Sequence, residues 1–112
     1  MRDLPSEWLV SSAEFEANRS NYFVRRGTMK MMLHQPVMPN LQQPHDQDEL
    51  YLILAGHGRF TKSGETRSFG PGDVIFVEAG AEHRFDEISD DTRLWILFWG
   101  PSGGDEGQLH VD

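Results

Sequence analysis

Three side chains that could bind a metal ion stand beside short apolar runs in this sequence of 112 residues. His45 and Glu49 are four positions apart, before and at the start of the run 49–54, and His83 follows the Gly-containing break at 79–80. Two imidazoles and one carboxylate form the facial ligand set that holds Fe(II) or a similar divalent ion with open coordination positions. Because four residues of straight strand span about 13 Å, the chain must curl between His45 and Glu49. The alternative to metal binding is a vestigial polar pocket.

Other catalytic signatures are absent from the sequence. There is no Gly-x-Ser-x-Gly elbow, and the glycines at 56–58 and 70–72 join strand to strand instead of strand to helix, so a phosphate-binding loop is not predicted. The chain has no cysteine, which excludes disulfides, thiolate metal sites and cysteine nucleophiles. Nitrogen and oxygen ligands favour one divalent ion, which is Fe, Mn, Ni or Zn.

Four further residues are candidates for a pocket around this ion, namely Gln47, Tyr51, Phe85 and Trp95. Tyr51 shares the face of Glu49 in an alternating strand, and Phe85 shares the face of His83. A plain core position is the alternative for the three aromatic residues. A solvated turn position is the alternative for Gln47.

Two other histidines are expected outside the site. His34 shares a strand face with Lys30, and we expect that face on the outer surface. His57 lies between two glycines at a turn, where exposure is expected.

The elements that must position these residues are short strands, because eleven glycines and six prolines are distributed between the apolar runs. Residues 1–20 form a lead-in, with one or two helical turns predicted at 11–18 behind a Ser11 or Ser12 cap. Alternation predicts strand at 22–35, and a hairpin turn is predicted at 62–65.

The number of strands predicts an all-β fold. Seven or eight short strands without a long helix fit a double-stranded β-helix, that is, a jelly-roll β-barrel, over residues 21–100. Residues 101–112 are rich in glycine and acidic residues and are expected to form a flexible tail. The last strand, at 93–99, is apolar on both faces, so we expect its outer face to pack against another part of the chain or another protein. A second copy of the chain in a homodimer is the expected cover.

Composition excludes several partners. Eighteen acidic residues against ten basic ones give a net charge of −8, which repels nucleic acid. No apolar run has the roughly 18–20 residues of a membrane-spanning helix. The first ten residues lack the basic region and cleavage site of a secretory signal, so a cytoplasmic protein is expected.

The spacing of the candidate ligands resembles the two sequence motifs of the cupin superfamily. His45, three residues, Glu49, six residues and Gly56 match the second half of the first motif. Gly72, ten residues and His83 match the spacing of the second motif. The two motifs occur in the right order and are separated by a short spacer, which makes the resemblance specific.

This resemblance, carried by residues 43–87, implies a small single-domain cupin with a jelly-roll fold. It implies a metal-dependent enzyme of dioxygenase, isomerase or decarboxylase type that acts on a small organic molecule. The leading histidine of the family's metal set is Gln43 here, a weak candidate for a fourth ligand that could instead hydrogen-bond a metal-bound water or substrate. A non-catalytic module that binds or senses a small ligand is the alternative. A cofactorless isomerase using His45 or His83 as general base is a third.

Overall fold

A computed structural model describes residues 8–40 and 42–112 of the chain. It contains one short helix, α1 (Ser12–Ala17), followed by eight strands. The strands are β1 (Val24–Arg26), β2 (Met29–His34), β3 (Asp48–Ala55), β4 (Gly58–Lys62), β5 (Glu65–Phe69), β6 (Val74–Val77), β7 (His83–Ile88) and β8 (Arg93–Trp99). No helix among the described residues is long and apolar enough to cross a membrane.

The strands form two antiparallel sheets with the architecture of a jelly roll. One sheet has the order β1-β2-β8-β3-β6, and the other has the order β5-β4-β7. Alternating residues of both sheets face each other and form the main core. Its buried members are Tyr51, Ile53, Phe60, Phe69, Val77, Phe85, Leu94, Ile96 and Phe98. The predicted all-β fold is therefore confirmed.

Two connections show how local sequence turns the chain between strands. The β4–β5 hairpin has Ser63 at φ 49° and Gly64 at φ 84°, as a two-residue turn with both residues left-handed requires. Between β3 and β4, Gly56 has φ 89°, and a Cβ atom there would clash with the backbone and hydroxyl of Thr92. A glycine at position 56 is therefore required both by the backbone conformation and by the close approach of the turn before β8.

The region predicted as one strand over 22–35 is instead a hairpin of β1 and β2, with Gly27 at φ 55° in its turn. β1 has only three residues, which are too few for the alternation to show where β1 ends and the turn begins. The predicted helix is present, and the Ser11 side chain accepts a hydrogen bond from the Glu14 amide, as an N-cap does.

Helix α1 packs against the outer face of the five-stranded sheet. Phe15, Phe23 and Leu33 form a second buried cluster there, and Trp95 packs against it. The rings of Phe15 and Trp95 meet edge to face with centroids 4.6 Å apart. The lead-in therefore covers part of the outer face of β8, for which a second copy of the chain had been the expected cover.

The predicted flexible tail is bonded to the barrel over its first residues. The Gly103 amide donates to the Asp46 carbonyl at 2.8 Å, and the Asp105 amide donates to Asp48 Oδ2 at 2.9 Å. The start of the tail is therefore attached to the barrel. The predicted flexibility of 101–112 and the predicted boundaries at 20 and 100 stay predictions.

Candidate metal centre

The two sheets bring the three candidate ligands together at one end of the barrel. Glu49 is the second residue of β3, and His83 is the first residue of β7 in the opposite sheet. His45 lies in the irregular segment before β3. One ligand atom from each residue can be chosen so that all three atoms lie within 4.8 Å of one another. We call His45, Glu49 and His83 the candidate metal centre.

Glu49 lies between the two imidazoles. His45 Nε2 is 2.8 Å from Glu49 Oε1, and His83 Nε2 is 3.6 Å from the same oxygen. The centroids of the two imidazole rings are 4.8 Å apart. Both Nε2 atoms and one carboxylate oxygen thus face a common point, as the sequence predicted from types and spacing.

The chain curls before β3, and this curl is what lets His45 reach Glu49. Residues 46 and 47 form a bend, and His45 Nδ1 lies 2.8 Å from the Gln47 carbonyl oxygen. The predicted departure from straight strand geometry is therefore present.

Backbone carbonyls fix the orientation of both imidazole rings. His45 Nδ1 is bonded to the Gln47 carbonyl, and His83 Nδ1 is 2.9 Å from the Ala81 carbonyl. A carbonyl oxygen only accepts, so each Nδ1 carries the proton and donates it. In the neutral ring this leaves the lone pair on Nε2, which is the arrangement that histidine ligands of metals have.

Burial shifts the protonation equilibria of the centre. Glu49 is 2% exposed, and desolvation raises its pKa, although the nearby His45 acts in the opposite direction. Desolvation lowers the pKa of His83, while its bond to the Ala81 carbonyl opposes this shift. A buried carboxylate and two imidazole lone pairs at this separation repel one another unless a proton or a cation lies between them. The donor set therefore fits a divalent ion.

The centre opens into a cavity of about 190 Å³, which we call the inner cavity. Its lining includes the three candidate ligands together with residues of β2, β3, β8 and the segments before β1 and β3. These further residues are Tyr22, Met32, His34, Gln42, Gln43, Tyr51, Ile96 and Phe98. A larger open groove of about 880 Å³ lies along β5, β6 and the tail, and none of the three candidate ligands lines it.

Two of the predicted pocket residues belong to the site or its immediate support. Tyr51 lines the inner cavity, and its hydroxyl donates to Gln42 Oε1 at 3.0 Å. Desolvation, with the nearby Glu49 carboxylate, holds the pKa of Tyr51 well above its usual value, so the phenol keeps its proton. Phe85 does not line the cavity. It packs in the core beneath Tyr51, with ring centroids 5.3 Å apart.

Two other predicted pocket residues lie elsewhere. Trp95 faces outward, because the inward positions of β8 are Leu94, Ile96 and Phe98. Gln47 does not line the cavity either, since its side-chain amide donates to the carbonyl oxygens of Thr28 and Gly100, each at 3.0 Å. It joins the β1–β2 turn to the end of β8, so the prediction that placed it in the mouth is wrong.

The irregular segment before β3 places two glutamines differently. Gln43 is exposed at the edge of the inner cavity, and its role as a fourth ligand stays a prediction. Its neighbour Gln42, which the sequence analysis did not single out, bonds Tyr51. No periodic pattern exists in this Pro-containing segment, so the sequence carried no signal for which glutamine faces inward.

His34 is on the inner side of the sheet, and its predicted position on the outer surface is wrong. It pairs with Leu94, which is fully buried in the core, and it lines the inner cavity. Desolvation lowers the pKa of His34. The alternation had correctly placed Met32 and His34 on one face, but the more apolar face of β2 packs under α1 instead of facing the barrel.

Comparison with known proteins identifies the family. The family model described as Cupin domain matches residues 27–99. The chain belongs to this family. An uncharacterized protein of Streptomyces coelicolor is 36% identical to this cupin over 93 residues, which are 80% of this chain and 89% of the relative.

Two further comparisons link the cupin to proteins with named activities. It is 26% identical over 89 residues to the HTH-type transcriptional activator RhaR of Mannheimia succiniciproducens, and these are 77% of this chain but only 31% of the activator. The crystal structure of the DMSP lyase DddQ from Ruegeria pomeroyi has a TM-score of 0.56 and 24% identity, covering 71% of this chain and 42% of that one. At this identity the second likeness establishes a shared fold alone.

Proposed function

We propose that this cupin is a metal-dependent enzyme that converts a small organic molecule, with one divalent ion held by His45, Glu49 and His83. The observation that carries the proposal is the convergence of two imidazole Nε2 atoms on a buried carboxylate, with both Nδ1 atoms bonded to carbonyls. The ion is Fe, Mn, Ni or Zn, since all ligands are nitrogen or oxygen. When bound, such an ion supplies Lewis-acid polarisation of a substrate oxygen.

The chain's own residues prepare this site. The carbonyls of Gln47 and Ala81 hold the imidazole planes, so that little reorganisation accompanies ligand binding. Tyr51 presents a protonated phenol that Gln42 orients. Apolar side chains of β2 and β8, Met32 and Ile96, line the wall and exclude water from the bound molecule. In this proposal Gln43, at the exposed edge of the inner cavity, hydrogen-bonds the molecule as it enters.

Elemental analysis of the protein purified without an affinity tag tests the proposal. We expect one equivalent of a divalent transition metal per chain in the wild type and a large loss in His83→Ala. His57→Ala is the matched control, because His57 is exposed and does not belong to the centre. Sub-stoichiometric metal that His83→Ala leaves unchanged would contradict the proposal.

A second candidate function is a ligand-sensing module without catalysis. The sequence likeness to a transcriptional activator favours it, although this chain spans about a third of that relative. Incubation of the metal-loaded protein with mixtures of small metabolites, followed by one-dimensional proton NMR, separates the two functions. An enzyme depletes a metabolite and forms a product, whereas a sensor broadens the signals of its ligand without changing its amount.

A further inference from the structure

His34 forms a second polar position in the inner cavity, apart from the candidate metal centre. It is the last residue of β2, and its strand partner is the buried Leu94. The cavity that contains its side chain also contains those of Glu49 and His83. No hydrogen bond joins His34 to the centre among the described residues. A molecule in this cavity would therefore meet His34 as well as the candidate metal centre, besides the polar side chains of Tyr22, Gln42, Gln43 and Tyr51.

Ser20 holds the His34 ring in place. Its Oγ lies 2.9 Å from His34 Nδ1, and its amide donates to the Leu33 carbonyl at 2.6 Å. Ser20 has φ 65°, a left-handed conformation that a residue with a side chain adopts at a cost. Such conformations persist where the surroundings fix them, and here the fixed side chain bonds a cavity histidine. With Nδ1 bonded, Nε2 is the nitrogen left for a bound molecule.

The strand register separates the two polar positions. On β8, Phe98 pairs with Glu49 and Leu94 pairs with His34. Four residues along β8 span about 13 Å between Cα atoms, so His34 and Glu49 lie toward opposite ends of the cavity. Between them, Ile96 pairs with both Met32 and Tyr51. The cavity is thus polar at both ends, and Met32 and Ile96 make one wall of its middle apolar.

We propose that His34 binds the far end of the substrate and that the substrate is a short acid with a terminal hydroxyl group. This inference rests on the proposed metal site. A divalent ion bound by the Glu49 carboxylate and two neutral imidazoles leaves a net charge of +1 at the centre. A carboxylate group of the substrate would neutralise this charge. A neutral imidazole nitrogen either donates or accepts, and a hydroxyl group fits both cases. The inner cavity of about 190 Å³ has the volume of about six water molecules, and a molecule with a few carbons between the two groups fills it.

Paired titrations of the metal-loaded protein test the inference. The metal content of every sample is measured first. The binding of butyrate and of pentanoate to the protein is then measured by titration calorimetry. The binding of each acid is compared with that of its terminally hydroxylated counterpart. We expect the hydroxylated acid of the better-fitting length to bind about five-fold more tightly, the size of one net hydrogen bond.

Two variants assign the preference to His34. His34→Leu should abolish it, and Ser20→Ala should reduce it, whereas His57→Ala should retain it. If His34 had only a structural role, His34→Leu would weaken the binding of both acids of a pair by the same factor. Stoichiometric metal with equal binding of both acids, or a preference that survives in His34→Leu, would overturn this inference alone. A protein that takes up no metal would overturn the proposed function as well.

Discussion

Glu49 is the residue on which the candidate centre depends most. The Glu49 side chain is buried, and its polar neighbours include the two imidazoles and the Tyr51 hydroxyl. In the metal-free protein burial favours a proton within this group, because desolvation disfavours an isolated carboxylate. A cation replaces this proton when it binds, so metal binding and protonation are coupled.

Metal affinity should therefore fall with acidification. Burial raises the pKa of Glu49, so this ligand is protonated at a higher pH than an ordinary glutamate. Burial lowers the pKa of His83, which keeps that ligand neutral further into the acid range. We expect the apparent affinity for Zn²⁺ to decrease from about pH 8 to about pH 5 and protons to be released on binding. Calorimetry in buffers of different ionisation enthalpy measures both the affinity for Zn²⁺ and the number of protons released. An affinity independent of pH would contradict the coupling of metal binding to protonation.

Removing the charge of Glu49 should stabilise the metal-free protein. Because the folded-state pKa of Glu49 lies above its unfolded value, the free energy of unfolding is highest when Glu49 is protonated and falls as pH rises through the folded-state pKa. Glu49→Gln is neutral at every pH. We expect its Tm to exceed that of the wild type by a few degrees at about pH 8, or about 1 kcal/mol, with the difference vanishing in acid.

Differential scanning calorimetry after chelation measures this difference. Glu82→Gln, at an exposed position of the turn before β7, is the control and should leave Tm unchanged. A lower Tm for Glu49→Gln at about pH 8 would mean that the ionised carboxylate stabilises the fold even without metal.

At the residue scale, the sequence could predict the ligands but not all of the cavity. Spacing sufficed for His45, Glu49 and His83 because strand starts and turns leave few positions where such side chains can converge. It failed for Gln42 and Tyr22, which lie in segments without a repeating pattern. It also failed for Gln47, whose amide bonds two carbonyls that are far apart in sequence.

At the scale of elements, the entry into β3 joins three parts of the chain. Asp48 is buried, and its Oδ1 accepts from the Ala79 amide at 3.0 Å while its Oδ2 accepts from the Asp105 amide. The turn before β7 and the start of the tail are thus both attached one residue away from Glu49. The same turn carries the Ala81 carbonyl that orients His83.

Asp48→Asn should destabilise the protein. Asparagine offers one acceptor oxygen, so one of the two amides would face an NH₂ group and lose its bond. We expect a loss of about 1–3 kcal/mol in the free energy of unfolding, measured by urea titration. Asp46→Asn is the matched control, because the Asp46 side chain is exposed, and it should change stability by less than about 0.5 kcal/mol. Equal effects of the two variants would contradict the role of Asp48.

The elements were largely predictable because strand period and turn chemistry are local properties. The helix cap at Ser11 and the turn at Ser63 and Gly64 follow from residues within a few positions. Which face of β2 points inward is not local. It depends on α1, since Phe15 covers Leu33 and Trp95 and thereby turns the more apolar face away from the barrel.

At the scale of the whole molecule, an apolar surface remains on the five-stranded sheet beyond the reach of α1. Its members alternate with the buried residues of β3, β6 and β8. We call it the outer apolar face, formed by Leu50, Leu52, Leu54, Val74, Phe76, Leu97 and Trp99. Leu52, Leu54 and Val74 are 39%, 46% and 58% exposed. A contiguous apolar face of this kind typically marks a protein interface.

We expect the outer apolar face to pair with a second copy of the chain. The seven residues of the outer apolar face are uncharged, and a self-complementary apolar face is compatible with a two-fold axis. Analytical ultracentrifugation should give twice the chain mass of 12.8 kDa, and Leu52→Glu should give the single-chain mass. Val37→Glu, at an exposed apolar position outside this face, should remain dimeric. A wild-type species of single-chain mass would contradict the pairing.

Anomalous diffraction from crystals grown with Mn²⁺ or Zn²⁺ would show directly whether the candidate metal centre binds an ion. We expect one strong peak per chain, about 2.0–2.2 Å from Nε2 of His45, Nε2 of His83 and a carboxylate oxygen of Glu49. We also expect both Nδ1 atoms to keep their bonds to the backbone carbonyls. Density in which the three side chains remain bonded to one another, with no peak between them at saturating metal, would contradict the proposed metal site.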